Sequence, residues 1–342
     1  GVDEYYGLLR MSAASLGNED RLGGHEAPPS IISVLIGGDM QTLLDDISEG
    51  HTIASATKQY INMGVNYVAQ LKKDTSDRNR TSPFAFTGNK FEFRMVGSSA
   101  TLSTPTLIMN AMTAEMISRM ADVLENVPKK DLDKAINQLV KTTYNEHKRI
   151  IFNGNNYSRE WAKEAKKRGL DTATNSVDAY EAMTKPKNME LFLKHNLLSV
   201  KEMESRRAIY LDNYVKSANI EAETALLMAR NQILPAVMRW QYTLAKQINE
   251  ISKVDPDLAV VQRSMLKNVS ALVKGLKDNI DALQTAKDGA FAATDSKKQA
   301  ILFRDRVKLV MEKLRDYADK LESVTPQEMW PFPTYADILF YE

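Results

Sequence analysis

Three charged residues alternate with aromatic residues near position 90 and could bind ions. Lys90, Glu92 and Arg94 are separated by single residues, so on a β-strand all three would lie on one face. A carboxylate flanked by cations is costly to bury without partners. The pattern is explained if Glu92 binds a metal ion while the cations bind phosphate or carboxylate groups, which arginine contacts with two nitrogens. The alternative is a solvated ladder of ion pairs between strands, and the residues alone leave both interpretations open.

A glycine-rich loop that ends in two prolines is the second chemical candidate. Residues 21–29 place Arg21 and Glu26 on a segment whose glycines allow movement or close approach to a ligand. Such a loop could close as a lid and bring in Glu26 as a general base. From these residues alone, a surface turn with solvated charges is the commoner interpretation.

The remaining polar residues favour structural roles. The histidines lie far apart without metal-ligand spacing, so we expect His147 and His195 to be structural. Neither a Walker loop nor a dinucleotide-binding glycine motif is present. The short basic clusters lack interleaved aromatic residues, which argues against a nucleic-acid footprint.

The elements that position the charged residues are predicted from breakers and periodicity. Residues 31–36 are β-branched and apolar and lie between prolines and glycines, which indicates a strand. A short helix is predicted from Asp39 to Ile47, closed by Gly50. Residues 84–94 hold two aromatic runs around a Gly-Asn turn, with an apolar face behind the charged one.

Helices follow from residue 101 onward. Pro105 and Pro128 are each placed to start a helix, and Ser158 to cap a third, with Trp161 facing inward and Gly169 ending it.

Three long amphipathic stripes then cover residues 211–251, 258–283 and 303–321, and we predict an antiparallel helical bundle. Pro235 interrupts the first stripe, where we expect a kink. Residues 329–335 are rich in aromatic residues and proline, and we expect this tail to dock on the body or on a neighbouring subunit.

Composition limits the classes of protein. The chain has 342 residues, with 45 Lys and Arg against 44 Asp and Glu, and no Cys. The near balance of charge gives no reason to expect nucleic acid or an anionic membrane as a partner. Disulfides and thiolate sites are excluded, and no apolar run is long enough to span a membrane. The first residues do not resemble a signal peptide, and we expect a cytoplasmic protein.

At the charged motifs the sequence resembles the type III glutamine synthetases. In that family an Arg-Leu segment that leads to Glu-Ala-Pro carries a flap glutamate, and here it covers residues 21–28. An Asn-Arg-Ser/Thr segment follows at 79–81, and then a basic-x-Glu-x-Arg strand at 90–94. Further features resemble type III in particular: the run 84–94, Gly17-Asn18, Pro28-Pro29 and the tail 329–335. The likeness covers about residues 8–170 and the tail.

The resemblance implies roles for three residues in substrate handling. Glu26 resembles the flap glutamate that closes the site and takes a proton from ammonium. Arg21 resembles the arginine that binds the carboxylate of the substrate glutamate. Arg80 resembles the arginine that contacts the transferred phosphoryl group.

It also implies roles for the strand residues. Glu92 resembles a ligand of a divalent metal ion, Mg²⁺ or Mn²⁺, and Arg94 resembles the arginine near the carboxylate that is activated. Lys90 stands near the nucleotide phosphates, where the family often has arginine. A further arginine of short-form enzymes has no counterpart at residues 82–85.

The implied fold is α+β. Residues 1–175 would be the C-terminal part of the catalytic domain with its sheet, residues 176–325 a helical extension, and residues 326–342 the tail. The implied reaction is ATP-dependent ligation of ammonia to L-glutamate through γ-glutamyl phosphate, in a homo-oligomer whose sites are shared between subunits. The family's preceding β-domain and earlier glutamate ligands have no counterpart, so we expect a partial site that is inactive alone. The alternative is a fragment that serves only assembly.

Overall fold

The computed structural model describes residues 1–22, 29–50, 60–61, 71–72, 81–170, 172, 175–333 and 335–340. The chain divides into two compact units, Gly1–Arg207 and Ala208–Glu342. Both units are mainly helical and the first contains a small mixed sheet, which confirms the α+β class. The three functional segments inferred from the resemblance stay a prediction.

The first unit contains eight complete helices among its described residues. Their bounds are α1 Val2–Ser12, α2 Leu16–Arg21, α3 Gly38–Glu49, α4 Ser103–Leu124, α5 Leu132–His147, α6 Arg159–Lys167, α7 Ser176–Tyr180 and α8 Pro186–Lys194. Short 3₁₀ turns cover Lys129–Asp131, Lys148–Ile150 and Glu181–Thr184. Helix α1 packs on α4, and α3 packs on α5. Leu8, Leu9 and Ile108 are buried at the first of these contacts.

The sheet of the first unit is short and of mixed direction. Its strands are β1 Val34–Leu35, β4 Phe84–Phe86 and β5 Phe91–Phe93, while β2 Tyr60–Ile61 and β3 Leu71–Lys72 form a separate antiparallel pair. Strand β1 runs parallel to β4, and β4 runs antiparallel to β5. The hairpin therefore holds β5 at one end of the order β1-β4-β5.

Strand β1 is shorter than the predicted strand over residues 31–36. The Ser33 hydroxyl donates to Oδ1 of Asn156, and the Ile36 N–H donates to Oδ1 of Asn153 at 3.1 Å. Asparagine side chains of the 153–156 loop thus bind the residues immediately before and after β1. A periodicity argument does not detect side chains that come from more than a hundred residues away.

Local capping sets the start of α6 and the glycine stops as predicted, whereas three other helix starts differ from the prediction. Helix α3 begins at Gly38 and α4 at Ser103, before Asp39 and Pro105, and a 3₁₀ turn separates Pro128 from the start of α5 at Leu132. The Trp161 N–H donates to Oγ of Ser158 at 3.0 Å, which caps α6. Trp161 is buried and stacks on Phe152 with ring centroids 3.9 Å apart. Gly50 ends α3 and Gly169 follows α6, with φ of 80° and 72°, which glycine adopts without strain.

The second unit is built from long helical segments. Helix α9 Val200–Met228 leads into it and is followed by α10 Leu234–Ser252, α11 Val260–Phe291, α12 Ser296–Leu302, α13 Lys308–Glu322 and α14 Tyr335–Leu339. π-Helical turns cover Ala229–Ile233 and Phe303–Val307, and 3₁₀ turns cover Pro256–Ala259 and Gln327–Met329. The interruption expected at Pro235 takes the form of the first π turn, because proline has no N–H and its ring crowds the preceding turn.

Contacts between the long helices show their directions. Gln241 of α10 bonds Ser270 of α11, and Ser252 near the end of α10 bonds Arg263 near the start of α11. The partner of the later residue in α10 comes earlier in α11, so α10 and α11 run antiparallel. Helix α11 also packs along α13.

The start of the second apolar stripe departs from the prediction. Leu258, Val261 and Met265 are 62%, 64% and 39% exposed, although they continue the stripe that is buried further along α11. Leu258 lies in the 3₁₀ turn Pro256–Ala259, and Val261 and Met265 lie in the first two turns of α11. None of the described helices is long and apolar enough to cross a membrane.

The tail lies along the second unit's own helices. Trp330, Phe332 and Pro333 line one side of a cavity of about 450 Å³, with Met311 and Leu314 of α13 among the residues opposite. The segment is anchored just upstream, where the Trp240 indole N–H donates to the Val324 carbonyl at 3.0 Å.

Candidate active site

The β4–β5 hairpin fixes the strand that carries the charged motif. Phe84, Ala85 and Phe86 pair with Phe93, Glu92 and Phe91. The chain reverses at Gly88, whose φ of 98° favours glycine, and the Thr87 N–H donates to the Lys90 carbonyl at 2.8 Å. The Arg94 N–H donates to the Pro83 carbonyl at 2.9 Å, which extends the pairing past Phe93. The backbone of Arg94 is therefore held by an extension of the strand pairing with β4.

The three charged side chains share one face, as their spacing predicts. Glu92 Oε1 lies 3.2 Å from Lys90 Nζ, and Glu92 Oε2 lies 3.1 Å from an Nη of Arg94. Hydrogen bonds from Lys90 and Arg94 lower the pKa of Glu92. The Arg94 side chain is only 11% exposed, whereas that of Lys90 is 65% exposed. Both of these ion pairs run along one strand.

The apolar face behind these charges is less complete than predicted. Phe84 is buried and its ring lies 5.8 Å from that of Phe91 and 6.1 Å from that of Phe93. Phe91 is nevertheless 53% exposed. It pairs with Phe86 next to the hairpin turn, where the described part of the chain supplies little cover.

Helix α2 brings Arg21 to the end of the same strand. Ser15 caps α2 by accepting the Asn18 N–H. The Arg21 guanidinium donates through Nε to Asn18 Oδ1 at 2.7 Å and through Nη2 to the Met95 carbonyl at 2.9 Å. Met95 is the residue after Arg94, so the Arg21 guanidinium lies against the backbone just beyond β5.

Two predicted residues lie outside the described residues. These are Glu26, predicted as the flap base, and Arg80, predicted to contact the phosphoryl group. The structure therefore joins Lys90, Glu92 and Arg94 through ion pairs and places Arg21 against the Met95 carbonyl. The functional roles of all six residues stay predictions.

The residues present do not by themselves make a metal centre. Among the described residues, no group of three or more His, Asp or Glu side chains is placed to hold a metal ion. Glu92 offers one carboxylate, already paired with two cations. A hard divalent ion takes about six oxygen ligands, so at most one protein ligand would come from the described part of this strand.

A second cluster of charges in the first unit escaped the sequence analysis. Glu115 of α4 is 4% exposed and contacts Arg119, Lys194 and His195. Burial opposes its ionisation, but hydrogen bonds from Lys194, Arg119 and His195 prevail and lower the pKa of Glu115 to about 2. His147 makes a comparable contact elsewhere in the unit, where its Nδ1 lies 2.8 Å from Asp3 Oδ2.

Comparison with known proteins shows that the chain is similar to glutamine synthetases. A family model described as the glutamine synthetase C-terminal domain matches residues 135–252. The chain is 35% identical to a type-3 glutamine synthetase of Dictyostelium discoideum, over 99% of this chain and 47% of that protein. It is 33% identical to a glutamine synthetase of Butyrivibrio fibrisolvens and 30% identical to one of Bacteroides fragilis, over 99% and 97% of this chain and 48% and 47% of those proteins.

The chain spans about half the length of the curated relatives that it matches. The similarity nevertheless runs through nearly all of the chain and includes both compact units. The chain is therefore similar, along nearly its whole length, to about half of a type-3 glutamine synthetase and of two further glutamine synthetases.

Proposed function

We propose that the chain forms part of the active site of a glutamine synthetase that ligates ammonia to L-glutamate with ATP, through γ-glutamyl phosphate. The observation that carries this proposal is the position of Arg21 against the residue after Arg94, at the end of the strand that bears Lys90 and Glu92. The rest of the site comes from residues outside this chain, in keeping with its coverage of about half of each relative.

In the first step the γ-carboxylate of glutamate attacks the terminal phosphoryl group of ATP and ADP leaves. This reaction depends mainly on positioning and on neutralising negative charge. Arg94 is largely buried and restrained by Glu92, so it suits a fixed contact with the reacting carboxylate. Lys90 is exposed and compact in charge, which suits the nucleotide phosphates, and Arg80 is proposed to contact the transferred group.

In the second step ammonia attacks the acyl phosphate and inorganic phosphate leaves. The attacking nitrogen must be neutral ammonia and the product amide must lose a proton, so a carboxylate has to accept protons. We assign that role to Glu26. Its glycine-rich loop would also keep water from the acyl phosphate.

Glu92 is proposed to contribute one oxygen ligand to a Mg²⁺ or Mn²⁺ ion. The remaining ligands would come from outside the described residues, since those residues do not form a complete set. When bound, the ion would neutralise phosphate charge.

A second candidate function is assembly alone, without catalysis by this chain. It is favoured by the exposed apolar side chains at the α10–α11 turn and by the long helices of the second unit. The same features suit a homo-oligomer in which sites are shared between subunits, so assembly and catalysis are compatible. Nucleic acid and membrane are not proposed as partners.

The test is glutamine formation by the full-length protein with Arg94→Gln, which keeps a polar side chain that can donate hydrogen bonds but removes the positive charge. We expect kcat/KM for glutamate to fall by about 10²-fold, the usual effect of losing one charge-stabilising contact. Arg239→Gln, on an exposed face of α10, is the matched control and should leave it unchanged. Activity of Arg94→Gln equal to that of the control would contradict the catalytic proposal and favour assembly.

A further inference from the structure

We propose that Asn18 is a positioning residue that holds Arg21 in the orientation that binds the carboxylate of the glutamate substrate. The inference rests on the proposed function and adds to it a residue that does not itself touch substrate. It is carried by the hydrogen bonds of one buried amide and by the packing around that amide.

Asn18 uses all the hydrogen-bonding groups of its amide inside the protein. It is 6% exposed. Nδ2 donates to the Ala13 carbonyl at 2.6 Å and to the Met95 carbonyl at 2.9 Å. Oδ1 accepts from Nε of Arg21 at 2.7 Å. Both amide hydrogens and the acceptor are therefore engaged, and the amide has one satisfied orientation.

These contacts fix the plane of the Arg21 guanidinium. Nε is held by Asn18, and Nη2 by the same Met95 carbonyl that accepts from Asn18. Two bonds to one edge of a planar group leave it little freedom to rotate. An arginine restrained in this way loses less conformational entropy when it binds a carboxylate.

The backbone that carries Asn18 is also restrained from the opposite side. The Ser176 N–H at the start of α7 donates to Oε2 of Glu19 at 2.6 Å. The Tyr180 hydroxyl, on the same helix, donates to the Ala14 carbonyl at 3.2 Å. Asn18 therefore acts from a fixed support, which accurate positioning of a binding group requires.

Gly97 shows how closely the amide is packed. A Cβ atom at Gly97 would lie 3.2 Å from Oδ1 and 3.6 Å from Cγ of Asn18. Gly97→Ala would thus press on the atom that accepts from Arg21 and leave every polar group in place. It provides a second way to disturb the same contact, by a few tenths of an ångström.

The experiment measures KM and kcat for glutamate and for ATP in the full-length protein. We expect Asn18→Ala to raise the glutamate KM by about 10-fold or more, the scale seen when supporting contacts of a binding group are removed. The ATP KM should stay within about twofold and kcat should change less than the glutamate KM. Gly97→Ala should raise the glutamate KM by a smaller factor.

A double-variant cycle separates positioning from stability. Arg21→Ala should raise the glutamate KM, and adding Asn18→Ala to it should raise KM no further, because the positioned group is gone. Asn188→Ala is the matched control, since Asn188 is also 6% exposed and donates from Nδ2 to a backbone carbonyl, that of Ala182 at 2.7 Å. It should lower Tm without changing the glutamate KM.

Each of the following results would overturn the proposal. In the first, Asn18→Ala keeps the glutamate KM within twofold of wild type while Arg21→Ala raises it. This result would exclude a positioning role for Asn18 and leave the proposed function intact. An equal rise in Asn188→Ala, or additive effects in the cycle, shows a general structural role. If Asn18→Ala does not fold, an unchanged glutamate KM in Gly97→Ala decides against positioning. A wild-type protein that forms no glutamine contradicts the proposed function itself, and this inference with it.

Discussion

Glu92 is placed to be ionised under physiological conditions. Hydrogen bonds from Lys90 and Arg94 lower its pKa, so the carboxylate is negative well below neutral pH. Its 37% exposed side chain is accessible at the same time. These properties suit a ligand for a cation and would also occur in a simple surface ion pair, so a variant has to distinguish the two.

Glu92→Ala in the full-length protein should increase the Mg²⁺ concentration needed for half-maximal glutamine formation. Glu92→Asp should increase it less, because aspartate keeps the charge and only shortens the reach. Glu160→Ala, on the exposed surface of α6, is the control. If Glu92→Ala and the control need the same Mg²⁺ concentration for half-maximal activity, Glu92 is not a ligand of the metal ion.

Glu26→Gln should separate the two chemical steps. It keeps the size of the side chain and removes the proton acceptor, so phosphoryl transfer should largely persist while attack by ammonia slows by about 10²–10⁴-fold. Water would then consume the acyl phosphate, and phosphate release should exceed glutamine release. Parallel measurement of both products checks this, and equal release at wild-type rates would make Glu26 a solvated turn residue.

At the residue scale, the sequence predicts what lies close along the chain. The common face of Lys90, Glu92 and Arg94 follows from the two-residue period of a strand. The link from Asn18 to Met95 joins residues 77 positions apart and produces no local pattern. A buried amide between a helix and a strand end becomes visible only when the two elements are placed together.

At the scale of elements, Glu115 joins α4 to the end of α8. Its carboxylate contacts Arg119 on its own helix, and Lys194 and His195 at the far element, at 2.7 to 2.9 Å. The pKa of Glu115 is about 2, below its ordinary value of 4.5, so ionisation stabilises the folded state. This contribution is complete above about pH 4.5 and is lost as the pH falls towards 2.

Lowering the pH should therefore reduce the free energy of unfolding of wild type more than that of Glu115→Gln. Between pH 6 and pH 3, linkage predicts an additional loss of about 2 kcal/mol in the free energy of unfolding of wild type. Urea unfolding at both pH values measures it, with Glu204→Gln on an exposed position of α9 as the control. If the free energy of unfolding depends on pH identically in wild type and Glu115→Gln, ionisation of Glu115 does not stabilise the folded state.

Two glycines of α11 should respond in opposite directions to alanine. A Cβ at Gly275 would overlap the ring of Tyr317 on α13, whereas one at Gly289 would meet nothing within 4 Å. Gly275→Ala should thus lower the free energy of unfolding by about 1–3 kcal/mol through overpacking. Gly289→Ala should raise it by about 0.5–1 kcal/mol through helix propensity. Thermal unfolding of the chain compares them, and equal shifts would contradict the α11–α13 packing.

Element ends follow from local chemistry, whereas burial depends on neighbours. Residue type alone predicts that Ser158 caps the start of α6 and that Gly50 ends α3. The exposure of Leu258 and Val261 is not predicted in this way, because periodicity identifies an apolar face without showing whether another helix reaches it. The two-residue length of β1 has a similar cause, since distant asparagines bind the residues immediately before and after it.

At the scale of the whole molecule, we propose that the chain contributes only part of a catalytic site. Its described residues include the cations Lys90 and Arg94 but no complete set of metal ligands. It also spans about half of each relative. These facts agree if the complete site needs residues from outside the chain.

The most direct test compares the 342-residue chain with the full-length protein in one assay. Glutamine and phosphate are measured with L-glutamate, ammonium, ATP and Mg²⁺ present, and each substrate is omitted in turn. We predict that the full-length protein releases one phosphate for each glutamine, and that the chain alone forms no glutamine. Sustained glutamine formation by the chain alone would contradict the partial site, and its absence from the full-length protein would contradict the proposed function.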